Sequence, residues 1–214
     1  SFALVTAGTA VAVMLSYWFV DRPFARFSHD VLRPHEFLAW MTGFNRFLQP
    51  AAIVALAAVG VYGLLGRRFT NWQTFVLLAC TVYLVTRGFK DDLQWAFGRT
   101  WPESWLDGNP SYIGNGSYYF DPFNGAEAHQ AFPSGTAASI AAAFSVAWFW
   151  YPRWRWLYAV PIAAVVVALL ASDFHWLSDV IAGLYLGFAI GWVAVVIWRT
   201  QTRPAVPDDA GSDP

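Results

Sequence analysis

The sequence predicts an all-α membrane protein, a polytopic bundle of six transmembrane helices with one further amphipathic helix lying in the interface. Three observations carry this prediction. Of 214 residues, 57% are apolar and 13% are charged, where an ordinary soluble domain carries about 25% charge. The missing charge is concentrated in long uncharged stretches, as in membrane spans. The aromatic share is 19%, with 13 Trp, which suits a chain with many residues at the membrane–water boundary. The same figures exclude other classes. A net charge of −1 leaves no basic footprint for nucleic acid. The single cysteine, Cys80, excludes an internal disulfide and a cysteine-rich zinc site.

The first span runs from Ala3 to Val20 and stops at Asp21-Arg22-Pro23. It is too poor in N-terminal basic residues for a cleaved signal peptide. The second covers roughly Pro50 to Leu65 and the third Trp72 to Thr86. The fourth covers Ser134 to Trp150, the fifth Trp156 to Ser172 and the sixth Val180 to Trp198. Each approaches the ~20 residues that cross the hydrocarbon. Between the first two, residues 21–49 mix Arg22, Arg26, Arg33 and Arg46 with aromatic and aliphatic residues, the pattern of a helix in the interface plane. Residues 87–133 are rich in Gly and Pro and read as loop; loops of this length are usually functional or disordered, and their aromatics argue against disorder. One bundle domain over 1–199 and a disordered cytoplasmic tail over 200–214 complete the layout.

Gly183, Gly187 and Gly191 recur at four-residue spacing in the sixth span, and Ala137, Ala138, Ala141 and Ala142 crowd the fourth. Both make flat faces for close helix packing. Six spans place both termini on one side. The basic residues then divide six against seven between the sides, so the short acid-free loops with Arg67, Arg68, Arg153 and Arg155 decide. They place the termini in the cytoplasm and the long loop outside, which in a bacterial inner membrane is the periplasm.

Three clusters of polar residues fall on that outer side, and ionisable groups at a membrane boundary point to function. They are Gly98-Arg99-Thr100-Trp101-Pro102, Phe132-Pro133-Ser134-Gly135-Thr136 and Asp173-Phe174-His175-Trp176-Leu177-Ser178-Asp179. A helix start with Ser and Gly offers backbone N–H groups and a partial positive charge to an anion; a plain helix cap at Ser134 explains the same residues. His175 and Asp179 are four apart, one helical turn. A carboxylate that fixes the imidazole tautomer leaves the other nitrogen to act as base or nucleophile. An interfacial histidine beside a capping aspartate is the plainer explanation.

In order and placement these motifs resemble the type 2 phosphatidic acid phosphatase superfamily of membrane lipid phosphatases, over roughly residues 50 to 198. The most telling pieces are Phe132 to Gly135 and His175 to Gly183. The resemblance implies a two-step mechanism through a phosphohistidine. On it, His175 is the nucleophile, Asp179 orients it, and Ser134 with Gly135 cradles the phosphate. It also implies a lysine, two arginines and a leaving-group histidine, and here the sequence departs. Gln94 stands at the lysine position, Trp101 and Leu169 at the arginine positions, and Thr136 at the histidine position. Lys90, the chain's one lysine, and Arg99 are the nearby cations, with Arg87 beyond them. The site expected is therefore His175, Asp179 and His129 (as replacement acid) in catalysis, with Arg99, Lys90, Ser134, Gly135 and Thr136 on the phosphate.

The function expected is an integral membrane lipid phosphatase or phosphotransferase. It would act on a phosphomonoester or pyrophosphate of an isoprenyl lipid, a glycerolipid or a lipid A. No cofactor and no metal are assigned. Partners are the lipid substrate and membrane lipids, with no nucleic acid; a protein partner or second copy fits the alternative, a catalytically silent relative that binds a lipid or a protein. Such a relative predicts a site plugged by Trp101 or Leu169. A metal site built from Glu103, Asp107, Asp121, Glu127, His129, Asp173, His175 and Asp179 is a third reading, since carboxylates suit divalent ions; it needs three of these around one point.

Overall fold

The computed structural model describes residues 1–32, 40, 42, 43, 45–103 and 108–202. Among them the chain is helical, with isolated bridges and no strand. The long helices are α1 (Phe2–Leu32), α2 (Asn45–Leu64), α3 (Asn71–Phe97), α4 (Gly135–Trp150), α5 (Arg155–Ala171) and α6 (Leu177–Gln201). Among the described residues four stretches are long and apolar enough to cross a membrane: Phe2–Leu32, Asn45–Leu64, Pro152–Ala171 and Leu177–Gln201. The other two predicted spans lie on α3 and α4. α4 has 16 residues, about 24 Å at 1.5 Å per residue, short of the ~30 Å hydrocarbon. α3 has 27, but its last turns carry Arg87, Lys90, Asp91, Asp92 and Gln94.

α3 also corrects the predicted loop boundary. Residues 87–97, read as loop, are its C-terminal turns. The ends of α3 are written locally. Thr70 Oγ1 accepts from the Gln73 amide at 3.3 Å while Gln73 Oε1 accepts from the Thr70 amide at 2.9 Å, a capping box that satisfies two end donors. At the other end Gly98 takes φ 58° and its N–H reaches the Gln94 carbonyl at 2.9 Å. A Cβ there would sit 1.7 Å from the Asp121 carbonyl oxygen, so only glycine fits.

The first helix does not stop at Asp21. It continues through a wide turn at Ser16–Val20 to Leu32, because Asp21 is buried and ion-paired with Arg99 and so does not need water. The segment 21–49 thus divides between its neighbours: Asp21–Leu32 belongs to α1 and 45–49 opens α2, while 33–39, 41 and 44 lie outside the described residues. So does the tail from 203.

α4 is the central helix. On one side it meets α6, where the predicted glycine face closes on the alanine face. A Cβ on Gly187 would lie 2.5 Å from the Ala138 carbonyl oxygen and 2.6 Å from the Ala142 nitrogen; one on Gly191 would strike Ser145. α3 packs through Val82 and Tyr83 against Ala142, Val146 and Val195. α5 packs through Ile162, Val165 and Leu169 against Ala137, Ile140 and Val180. α1 runs along α6, with Phe2 stacked on Trp192 at 4.7 Å and the Thr6 and Tyr185 hydroxyls 2.7 Å apart. This packing brings the starts of α4 and α6, the end of α3 and the middle of α1 to one end of the bundle.

Candidate active site

The starts of α4 and α6 are bonded to each other. The Ser134 amide donates to the Asp179 carbonyl at 3.0 Å, and Ser134 Oγ accepts from the Ala137 amide at 3.3 Å. Ser134 is therefore the cap of α4. The amides of Gly135 and Thr136 come next, and the first amides of a helix have no intrahelical acceptor. Lys90 reaches this point from α3: a Cβ on Gly135 would lie 2.8 Å from Lys90 Cδ and 3.6 Å from Nζ. Lys90 Nζ donates to Gln94 Oε1 at 2.9 Å and pairs with Asp91. Gln94, at the predicted lysine position, is a strut: its Nε2 donates to the carbonyls of Gln130 (2.7 Å) and Pro133 (3.1 Å).

Asp179 faces two ways. Its Oδ2 accepts from the Trp176 amide at 3.1 Å and lies 3.5 Å from His175 Nδ1. No aligned hydrogen bond reaches that nitrogen, so the contact with His175 is electrostatic. Its Oδ1 accepts from Arg99 Nη1. Arg99 Nη1 also donates to Ser178 Oγ at 2.6 Å, and Nη2 donates to Asp21 Oδ2 at 2.8 Å and to the Tyr118 hydroxyl at 3.2 Å. The guanidinium lies 5.1–5.3 Å from the ring centres of Tyr17, Tyr118, Phe120 and Trp176. Arg99 is 1% exposed. Burial alone would push it down, but Asp179 and Asp21 outweigh this and hold it above its ordinary pKa. Both terminal nitrogens of the arginine expected on the phosphate are thus engaged, with two carboxylates, Ser178 and Tyr118, while its Nε is buried without a hydrogen-bond partner.

Trp101 packs on His175, ring centres 5.0 Å apart, and its Nε1 donates to the Glu127 carbonyl at 3.1 Å. Leu169 is buried among Ala137, Ile162 and Val180. Thr136 is half-buried. His129 turns toward the loop, its Nε2 4.0 Å from Asp121 and its ring 6.1 Å from Tyr119. Among the described residues no three His, Cys, Asp or Glu are arranged to hold a metal ion; Asp107 lies outside them.

Beside this site His29 Nδ1 sits 3.2 Å from Glu103 Oε2 and 3.3 Å from Asp173 Oδ2. Burial raises the Asp173 carboxyl above the usual range, more than the nearby Ser28 hydroxyl and His29 pull it back. A carboxyl raised by folding stabilises the fold fully below its unfolded pKa, about 3.9. That contribution is lost as pH rises through the folded value. Asp173→Asn, which keeps the shape and tolerates the φ of 55°, is therefore expected to gain stability relative to the parent between about pH 4 and 7. Thermal unfolding of the detergent-solubilised proteins across that range checks it; a constant or reversed gap would contradict it.

The site residue that sequence reasoning missed is Asp21. The available signal was an acid directly after an 18-residue uncharged stretch, in a position that demands a partner when the helix continues.

With this geometry in hand, the class is clear: the chain belongs to the PAP2 superfamily, whose model matches residues 74–203, and its apolar helices make it an integral membrane protein of that lipid phosphatase family. The lipid A 1-phosphatase of Rhizobium etli is 31% identical over 104 residues, covering 49% of this chain and 40% of that protein. The lipid A 1-phosphatase of Rhizobium johnstonii is 28% identical over 106 residues, 50% and 41% respectively. The match therefore spans less than half the length of these relatives. The crystal structure of the first transmembrane PAP2 type phosphatidylglycerolphosphate phosphatase from Bacillus subtilis shares the fold. The TM-score is 0.53 at 16% identity, covering 92% of this chain and 97% of that one.

Proposed function

We propose that this chain is a lipid phosphate phosphatase or phosphotransferase that works through a phosphohistidine at His175. The observation that carries this is the junction of the two helix starts: the His175–Asp179 pair is tied through the Ser134–Asp179 backbone bond to the start of α4, with Lys90 alongside Gly135. The amides of Gly135 and Thr136 and the helix dipole bind phosphate oxygens, and Lys90 adds charge. His175 attacks phosphorus; the N–P bond forms as the P–O bond to the lipid breaks. Asp179 stabilises the imidazolium character that develops. The leaving oxygen takes its proton from water or His129; water then attacks phosphorus, the N–P bond breaks, and inorganic phosphate leaves with His175 restored. The substrate is a phosphomonoester or pyrophosphate on an isoprenyl lipid, a glycerolipid or a lipid A; the names of the two rhizobial relatives favour the last. On this reading all six long helices cross a bacterial inner membrane, with the site periplasmic and the termini cytoplasmic.

A second reading, a silent relative that binds a lipid or a protein, is favoured by Trp101 against His175 and by the pairing of Arg99 with Asp21 and Asp179. Phosphate release from a panel of lipid phosphates by the detergent-purified protein separates the two. The phosphatase reading expects release that is lost in His175→Ala and survives a metal chelator. No release above His175→Ala, from protein shown to be folded, favours the silent relative.

A further inference from the structure

Asp21 lies in α1, outside the 74–203 stretch that matches the family, and both of its oxygens are used. Oδ2 accepts from Arg99 Nη2 at 2.8 Å and from Ser178 Oγ, and Oδ1 accepts from the Ser178 amide at 3.0 Å. Arg99 is thus one cation shared between two buried carboxylates, Asp21 and Asp179. The far oxygen of Asp179 is the one that faces His175. The four rings around Arg99 keep water from screening the chain of charges, and poorly screened charges couple strongly. The more Arg99 is drawn toward Asp21, the more negative charge Asp179 keeps for His175.

We propose that Asp21 is a positioning residue for His175, acting through Arg99 and Asp179, so that the first helix sets the charge and orientation of the histidine. The plainer role for Asp21 is to fasten α1 to the bundle. The two differ in what they do to His175. Other charged groups near the network have their own partners: Asp173 pairs with His29, which also meets Glu103, and Arg22 and Arg26 lie over the rings of Tyr118 and Tyr112. What His175 does chemically rests on the function proposed above; the coupling itself does not.

The test is the protonation midpoint of the His175 ring, followed by NMR of ring-labelled histidine in the full chain in detergent, with His175→Gln to assign the signal. In Asp21→Asn, Arg99 compensates Asp179 more completely, so the imidazolium is held less firmly. The midpoint is expected to fall by roughly half a unit or more. Asp30→Asn, an exposed site on the same helix, is expected to match the parent. Asp21→Ser, which removes the charge with a smaller hydrogen-bonding side chain, is expected to lower the midpoint in the same way and carries the test if Asp21→Asn does not fold. Midpoints equal to the parent in the folded variants would overturn the proposal and leave Asp21 a fastener. In phosphate release, Asp21→Asn is expected to lower kcat with KM near the parent. If the parent releases no phosphate, the phosphatase reading fails while the titration still decides the coupling.

Discussion

Arg99→Ala is expected to destabilise the protein by about 3–5 kcal/mol, the scale for breaking a buried ion pair from one side. The substitution strands two carboxylates. Asp21 and Asp179 are each 1% exposed or less, and without the guanidinium neither has a cation within reach in this network. It also empties the space between four rings. Arg99→Lys is expected to recover little, because a single ammonium cannot hold one nitrogen against Asp179 and Ser178 and another against Asp21 and Tyr118 in a fixed plane. Replacing all three charges together, with Asp21→Asn, Arg99→Met and Asp179→Asn, is expected to recover much of the loss, since the cost lies in unpaired charge rather than missing charge. Denaturant or thermal unfolding in detergent measures all three. A loss below about 1 kcal/mol for Arg99→Ala, the range of an exposed pair, would contradict this account of the network.

The second large effect is a gain. Thr136 directly follows Ser134 and Gly135, where the family resemblance places a histidine that protonates the leaving group. A threonine hydroxyl is a poor proton donor at neutral pH, so Thr136 itself gives no proton to the departing lipid oxygen. Thr136→His is expected to raise the rate of phosphate release by about 10²–10⁴, the usual worth of a positioned general acid. Trp101→Arg in the same background removes the ring packed on His175 and adds a cation that the phosphate lacks, so the double variant is expected to exceed the single. Rates from both variants at or below the parent would mean that the start of α4 does not face a reacting phosphate.

Much of the fold was legible because its causes are local or periodic. Apolar runs marked the helices, and the glycine and alanine spacings marked the face on which α6 meets α4, where Gly187 allows contact that no Cβ would permit. The length of α3 was misjudged because Lys90, Asp91 and Asp92 interrupt its apolar run. Helicity does not require apolarity, and the signals that set its ends, Thr70 with Gln73 and the left-handed Gly98, were present in the sequence. The site was legible in its residue types and less so in its pairings. The His175–Asp179 spacing is local and predicted their contact. The pairing of Arg99 with Asp21 and Asp179 joins residues 78 and 80 positions apart, which no local pattern encodes. An arginine expected on a ligand thus turned out to serve two carboxylates. An aspartate expected to end a helix turned out to lie inside the bundle.

The central claim is that His175 takes the phosphoryl group. Its most direct measurement is to mix the purified protein with a radiolabelled lipid phosphate, quench rapidly in alkali and locate the label on the chain. The account predicts covalent label that is stable to base, lost in acid, mapped to the peptide holding His175, and absent from His175→Ala. Phosphate release with no base-stable label on that peptide, or label that persists in His175→Ala, would contradict it.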